Sequence, residues 1–354
     1  MAISVAKDYL ARSDGQTGEV QHMKAVFRKG EEVFLKDVDM TPLKPDAIRL
    51  RVAACGICGT DLHWNSKPSK DSPFGHEVAG TVLEVGAAVA NVKVGQTVAL
   101  ESSSACGQCD ACRNMRQEFC PNLRVFWGAG PALGFAEEMI APAQCAVPYE
   151  GMKPEIACLS EPLGVAIDVL RLSDVGIDSN VLVMGAGPIG LMIAQLAKRR
   201  GARRLFVADV KRQVRRLTLA KQFGADDVVA VDETPVSKFQ YGCPIDRILV
   251  TAPPPALAET FDLAAKGGIV TFIGLGEGEK ATCSFNANNF HFKKLQLRAS
   301  FAAPAMFTPL ALRYLKEGVI DGEALISHRF PLADIAKAVR VANDPEAVKV
   351  VVLP

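Results

Sequence analysis

Between residues 23 and 157 apolar and polar positions alternate in short runs, as at 47–52 and 78–85, each broken by Gly, Pro or Asn. A two-residue period puts one face of each run into a core and predicts a compact β-rich unit. After Glu161 the pattern changes. Short apolar runs at 181–184, 205–208, 228–230, 248–250, 269–273 and 295–299 are mostly separated by stretches of helical period at 189–200, 213–223 and 256–265. Strands buried on both faces read this way, and their alternation with helices predicts a parallel doubly wound sheet. Beyond residue 303 a helical stretch at 307–317 and strand-like runs at 329–331 and 348–353 predict a return to the first unit. The expected division is an extension over 1–22, a β-rich unit over 23–165 completed by 304–354, and a parallel-sheet unit over 166–303. Pro253-Pro254-Pro255 is too short for a linker and predicts the entry to the helix that follows.

Composition narrows the partners. At 354 residues the chain is long enough for two cores. Hydrophobic residues make up 49% and charged residues 22%, and the net charge of +1 comes from interspersed signs. No nucleic-acid or anionic-membrane surface is expected from that balance. No window offers the roughly 18 consecutive apolar residues of a membrane span. The N-terminal segment lacks the basic and apolar regions of a secretory signal, and the ten cysteines cluster at ligand spacing. A reducing, cytoplasmic setting is expected.

The apolar run at 181–184 feeds into Gly185-Ala186-Gly187-Pro188-Ile189-Gly190. A G-x-G-x-x-G pattern is weak alone, but between a buried strand and a helix it reads as a dinucleotide turn. Gly185 permits the tight bend, Gly187 lets the backbone approach a pyrophosphate, and Gly190 lets the helix pack on the strand. Pro188 and Ile189 open that helix, whose N-terminus offers free N–H groups to phosphate. Asp209, nineteen residues past Gly190 at the next strand end, suits the ribose hydroxyls. Its charge conflicts with a 2′-phosphate, which favours NAD over NADP. Arg212, with Lys211, Arg215 and Arg216, lies just beyond, either as a phosphate partner or as the solvated face of the next helix.

Cys106-x2-Cys109-x2-Cys112-x7-Cys120 sets four thiols in fifteen residues. Zn²⁺ takes four thiolates tetrahedrally, and x2 spacings turn successive sulfurs toward one centre. Two readings compete. Cys120-Pro121 suggests an iron–sulfur cluster, although the bacterial pattern needs a different last spacing. A disulfide knot suits a small secreted chain. A closed four-thiolate site leaves no open position, so a catalytic metal has to be sought elsewhere.

Cys55-Gly56-Ile57-Cys58-Gly59-Thr60-Asp61-Leu62-His63 and Gly75-His76-Glu77 form a second metal-type constellation. Taken with Glu161-Pro162-Leu163, the four-Cys segment, the glycine turn and Asp209 in this order, the chain from Met23 onward resembles the zinc-containing medium-chain alcohol and polyol dehydrogenases. The sorbitol, threonine and cyclitol dehydrogenase branch is the nearest in wording. The resemblance implies an α/β protein with a GroES-like β-rich catalytic domain and a Rossmann NAD-binding domain. It implies alcohol oxidation at zinc, with two zinc ions per subunit, one catalytic and one structural. By its pattern Cys58, His76 and Glu161 bind the catalytic zinc and Glu77 is an alternate ligand. Cys158, three residues before Glu161, is the rival third ligand. Thr60 and His63 are the implied proton relay, and Asp61 is expected to orient His76. The implied substrate is a small secondary alcohol, a polyol, sugar or cyclitol. L-threonine or another amino alcohol is the alternative, and a non-catalytic NAD- and zinc-binding protein is the reading of a different class. Trp64, Phe74 and Arg298 are expected near the substrate, with Phe126-Trp127 as a further wall. Each aromatic reads equally well as core, and Arg298 as a strand-end charge. A homodimer or homotetramer is implied, with 269–275 and 295–301 pairing across a two-fold axis.

Overall fold

The alternating run at 47–52 becomes the strand Ala47–Gly56, with Ile48, Leu50 and Val52 buried and Arg51 in solvent. The computed structural model describes residues 22–63 and 67–354. Ala47–Gly56 pairs antiparallel with both Glu77–Val85 and Glu138–Pro142, and the sheet continues through Thr97–Leu100 to Ala146–Pro148. On its other side it pairs with Lys349–Leu353, which runs parallel to Ile326–Pro331. The late apolar run therefore does return to the first sheet. Ile48, Leu50, Val98, Leu100, Phe126 and Met139 fill the core beneath it.

The second sheet has six parallel strands. Their order is Asp227–Ala230, Arg204–Asp209, Asn180–Met184, Arg247–Val250, Ile269–Phe272, Gln296–Ala299. Asn180–Met184 is buried along its whole length, as a strand covered on both faces must be. The chain steps outward from this strand in both directions, so the crevice for a ligand opens at its C-terminal end. The helices Pro188–Arg199, Val214–Gln222 and Leu257–Leu263 follow the periodicity closely. The triple proline forms a 3-10 turn, Pro254–Ala256, that leads into the last of them.

Several helices are not foreshadowed by the pattern, among them Ile335–Ala342 and the central Ser160–Leu172. Ser160–Leu172 packs against Pro188–Arg199 and Thr308–Lys316. Its Leu163, Ala166 and Val169 share one apolar cluster with Ala54 and Ala79 of the first sheet and Val181 and Val183 of the second. The two sheets are thus held by continuous packing through this helix. Among the described residues, no helix is long and apolar enough to cross a membrane.

Candidate active site

The strand Ala47–Gly56 gives way to one helical turn, Gly59–His63. Asp61 fixes that turn. Its Oδ2 accepts the Cys58 N–H at 2.9 Å, and its own N–H donates to the Cys58 carbonyl at 3.1 Å. Asp61 Oδ1 lies 3.5 Å from His76 Nδ1, a contact that orients the ring and leaves its other nitrogen for a ligand. Behind this pair the buried Arg28 donates to the Asp61 carbonyl, with its guanidinium 4.4 Å from the centre of the Phe74 ring. Burial opposes an imidazolium at His76, but Asp61 and Cys58 outweigh it and hold the ring well above its ordinary pKa. The same negative surroundings suit a bound cation.

Cys58 Sγ, a ring nitrogen of His76 and a carboxylate oxygen of Glu77 all lie within 4.8 Å of one another. Glu77 is fully buried, and both its oxygens accept from Lys349 Nζ, at 2.6 and 2.7 Å. The same ammonium donates to the Ile57 carbonyl at 2.9 Å. A Cβ on Gly56 would stand 2.0 Å from Glu77 Oε2, so glycine alone leaves room for this carboxylate. Glu161 occupies the first turn of Ser160–Leu172 and lies outside that mutual distance. It senses the same charges. Burial lifts its carboxyl to about 7, while His76 and Lys349 draw it down and Glu77 and Asp61 push it up.

The rival thiol of Cys158 is fully buried and donates to the Glu155 carbonyl at 3.3 Å, with burial keeping it protonated. Cys55 is likewise buried and its thiol is pushed well up by burial, in keeping with a small apolar residue. Thr60 is half-buried and His63 is exposed at the end of the same turn, so the two hydrogen-bonding groups step from interior to solvent.

The four-cysteine segment closes on itself. Sγ–Sγ separations are 3.4 Å for Cys109–Cys112, 3.8 Å for Cys109–Cys120 and 4.0 Å for Cys106–Cys112. Four thiolates about 2.3 Å from one zinc stand about 3.8 Å apart, so these sulfurs match a single ion. They are too far apart for disulfide bonds of about 2.05 Å. Backbone N–H groups of Gln108 and Cys109 lower the Cys106 thiol to about 6, which favours the thiolate a metal needs.

At the glycine turn the three positions behave differently. Gly185 has φ +102°, and a Cβ on Gly190 would lie 1.9 Å from the Gly185 carbonyl. A Cβ on Gly187 would meet nothing within 4 Å, which is the open space a pyrophosphate requires. Asp209 Oδ2 accepts the Ala186 N–H at 2.8 Å and Oδ1 the Val210 N–H at 2.7 Å, so the carboxylate is braced beside the turn. Arg212 is exposed, whereas Arg216 Nε donates to the Ala347 carbonyl at 2.9 Å.

The residues expected near the substrate lie in different settings. Trp127 is 47% exposed and its ring centre is 6.3 Å from that of His76, which places an aromatic face at the mouth of the donor cluster. Phe126, 4.7 Å from Trp127, is core. Phe74 packs edge-on against Phe135 at 5.0 Å and under Arg28, so its ring is already engaged. Trp64 lies outside the described residues. Arg298 sits in the strand-end setting that was its other expected role: its guanidinium donates to the Leu172 carbonyl at 2.7 Å, Asp174 at 2.6 Å and Gln296 at 2.7 Å. It clamps the outer strand to the C-terminal end of Ser160–Leu172, where unpaired carbonyls attract cations. Lys349 and Arg28 were not anticipated. A single Lys inside the apolar run 348–353 was the available signal for the first.

The Alcohol dehydrogenase GroES-like domain family matches residues 44–151, and the Zinc-binding dehydrogenase family matches residues 188–317. The L-idonate 5-dehydrogenase of Vitis vinifera is 32% identical over 329 residues, covering 87% of this chain and 88% of its own. The L-threonine 3-dehydrogenase of Saccharopolyspora erythraea is 33% identical over 326 residues, with 88% and 93% covered. Among solved structures, an alcohol dehydrogenase from Escherichia coli CFT073 complexed with NADH superposes with a TM-score of 0.84 at 27% identity, covering 94% of this chain and 99% of that one.

Proposed function

The chain belongs to the zinc-binding medium-chain dehydrogenases, and from that premise we propose that it oxidises a secondary hydroxyl of a polyol, sugar or cyclitol with NAD as hydride acceptor. It is a zinc- and NAD-dependent oxidoreductase acting on CH–OH groups. The observation that carries the finer reading is the donor cluster Cys58, His76 and Glu77, with Asp61 behind His76 and the Glu161 carboxyl in the same field.

We take Cys58, His76 and Glu161 as the residues that hold the catalytic zinc. Glu77 has both oxygens on Lys349, and each keeps a further lone pair that it can offer as an alternate ligand. Bound there, zinc would polarise the alcohol oxygen as a Lewis acid, and NAD would serve as the hydride acceptor. The protein's own groups do the rest. Asp61 keeps His76 in one orientation. The Thr60 hydroxyl accepts the substrate proton, and His63, open to solvent, releases it. Trp127 covers one side of the mouth. Asp209 takes the ribose hydroxyls, which favours NAD.

Similar proteins named for L-idonate and L-threonine support a polyhydroxy substrate first and an amino alcohol second. None of the ten cysteines is joined in a disulfide, which supports a reducing, cytoplasmic setting. The strand Gln296–Ala299 ends its sheet with Leu297 and Phe301 exposed, which supports a homodimer joined at that edge. The deciding experiment is a screen of sugars, cyclitols and amino alcohols for NADH production, with zinc measured on the same sample. Turnover of a polyol or cyclitol is expected. A sample carrying both metals that reduces NAD with none of them would overturn the assignment.

A further inference from the structure

The peptide that opens the glycine turn is gripped from both ends. Its N–H, on Ala186, donates to Asp209 Oδ2 at 2.8 Å. Its carbonyl, on Gly185, accepts the hydroxyl of the half-buried Thr251 at 2.9 Å. Asp209 ends one strand that flanks Asn180–Met184, and Thr251 directly follows Arg247–Val250, the strand that flanks it on the other side. Turning this peptide over would set its carbonyl against the Asp209 carboxylate and leave the hydroxyl without its acceptor.

Thr251 is itself held. Its N–H and that of Ala252 donate to the Met184 carbonyl at 2.8 and 3.1 Å. A Cβ on Gly274 would stand 1.9 Å from the Ala252 carbonyl, so the exit of the next strand packs directly on this segment, and Pro253 fixes the backbone after it. The Met184 carbonyl lies 3.2 Å from the hydroxyl, but it already takes two N–H groups and a hydroxyl has one proton to give, which leaves that proton for Gly185. A Cβ on Gly185 would lie 2.6 Å from Thr251 Oγ1 and one on Gly190 3.2 Å from it, so the hydroxyl fills the space these two glycines leave. We propose that Thr251 is a positioning residue for the cofactor's pyrophosphate. Its hydroxyl fixes the first peptide of the turn, and with it the backbone at Gly187 and the N-terminus of Pro188–Arg199, before the cofactor arrives. The inference rests on the reading of this turn as the dinucleotide site.

The test is binding of NADH, ADP-ribose and adenosine to the full zinc-loaded chain in the absence of any alcohol. ADP-ribose carries the pyrophosphate, whereas adenosine carries only the base and the ribose assigned to Asp209. Thr251→Val keeps the shape of the side chain and removes its donor. It is expected to weaken NADH and ADP-ribose about five- to tenfold, the worth of one neutral hydrogen bond, and adenosine by less than about twofold. Thr251→Ser restores the hydroxyl and is expected to bind all three ligands within about twofold of the wild type. Thr251→Ala is read in the same way if the valine variant does not fold. Wild-type affinity for NADH and ADP-ribose in the valine variant, an equal loss for adenosine, or a serine variant as weak as valine overturns the proposal. A wild type that binds neither NADH nor ADP-ribose defeats the cofactor reading together with this one. A wild type that binds both but oxidises no alcohol defeats the proposed substrate and leaves this test standing.

Discussion

Glu101 is a buried carboxyl at the end of Thr97–Leu100, away from the metal donors. Burial lifts it from 4.5 to about 7, against hydrogen bonds from Ser104 and Thr308 that favour the charged form. The folded protein therefore holds a proton that the unfolded chain releases above about pH 4.5. The contribution of Glu101 to stability is fully present below that pH and is lost as pH rises through about 7, by about 3 kcal/mol in all. Urea midpoints are expected to fall between pH 5 and pH 8 in the wild type and to change much less in Glu101→Gln. Equal slopes in the two proteins would place the titration elsewhere. At the donor cluster, Cys58→Ala and Glu161→Ala are each expected to reduce turnover below detection and halve the zinc content while NADH still binds. Metal analysis and fluorescence titration check this, and retention of full zinc in Glu161→Ala would transfer the third ligand to Glu77. Cys58, Asp61 and His76 were legible in the sequence because their spacing is local. Lys349 was not, because the carboxylate it serves lies 272 residues away and only folding brings them together.

The elements differ in how plainly the sequence announces them. The inner strands of the parallel sheet read as apolar runs because both faces are covered, as along Asn180–Met184, whereas the edge strand Gln296–Ala299 is largely exposed. Ser160–Leu172 did not read so plainly, because Pro162 and Gly164 look like breakers. Both fall near its start, where a missing proline N–H leaves no helical bond unmade. The sequence could not separate wall from core for a related reason: periodicity marks Phe74 and Phe126-Trp127 alike as apolar, and only packing shows Trp127 half-exposed. The four-cysteine lobe carries its own prediction. Cys109→Ala is expected to remove the second zinc, lower the melting temperature and open Arg113 and Arg116, both exposed, to faster trypsin cleavage, with NADH binding retained. Unchanged proteolysis would mean that the lobe is ordered without its metal. At the strand end that bears Asp209, Asp209→Ala is expected to raise the KM for NAD about 10- to 100-fold, the worth of hydrogen bonds to a charged group, and to affect NADP less. Equal losses for both cofactors would refute the ribose assignment.

At the scale of the whole molecule, the open edge is the feature to test. Gln296–Ala299 is paired on one side only among the described residues, and Leu275, Leu297 and Phe301 are exposed along or near it. Leu297→Lys combined with Phe301→Glu is expected to convert a dimer into a monomer in analytical ultracentrifugation, with the fold preserved by circular dichroism. An unchanged sedimentation coefficient would put the contact elsewhere.

The first sheet is completed by a strand that comes after the entire second sheet in the chain. The Lys349 contact with Ile57 spans 292 residues. On the ribosome, therefore, the nascent N-terminal half waits with Glu77 unneutralised and one sheet edge bare until almost all the rest has been translated. A chain stalled or cut before residue 349 has a cofactor fold already made and a metal pocket that cannot yet close, which makes translation order part of how this enzyme is assembled.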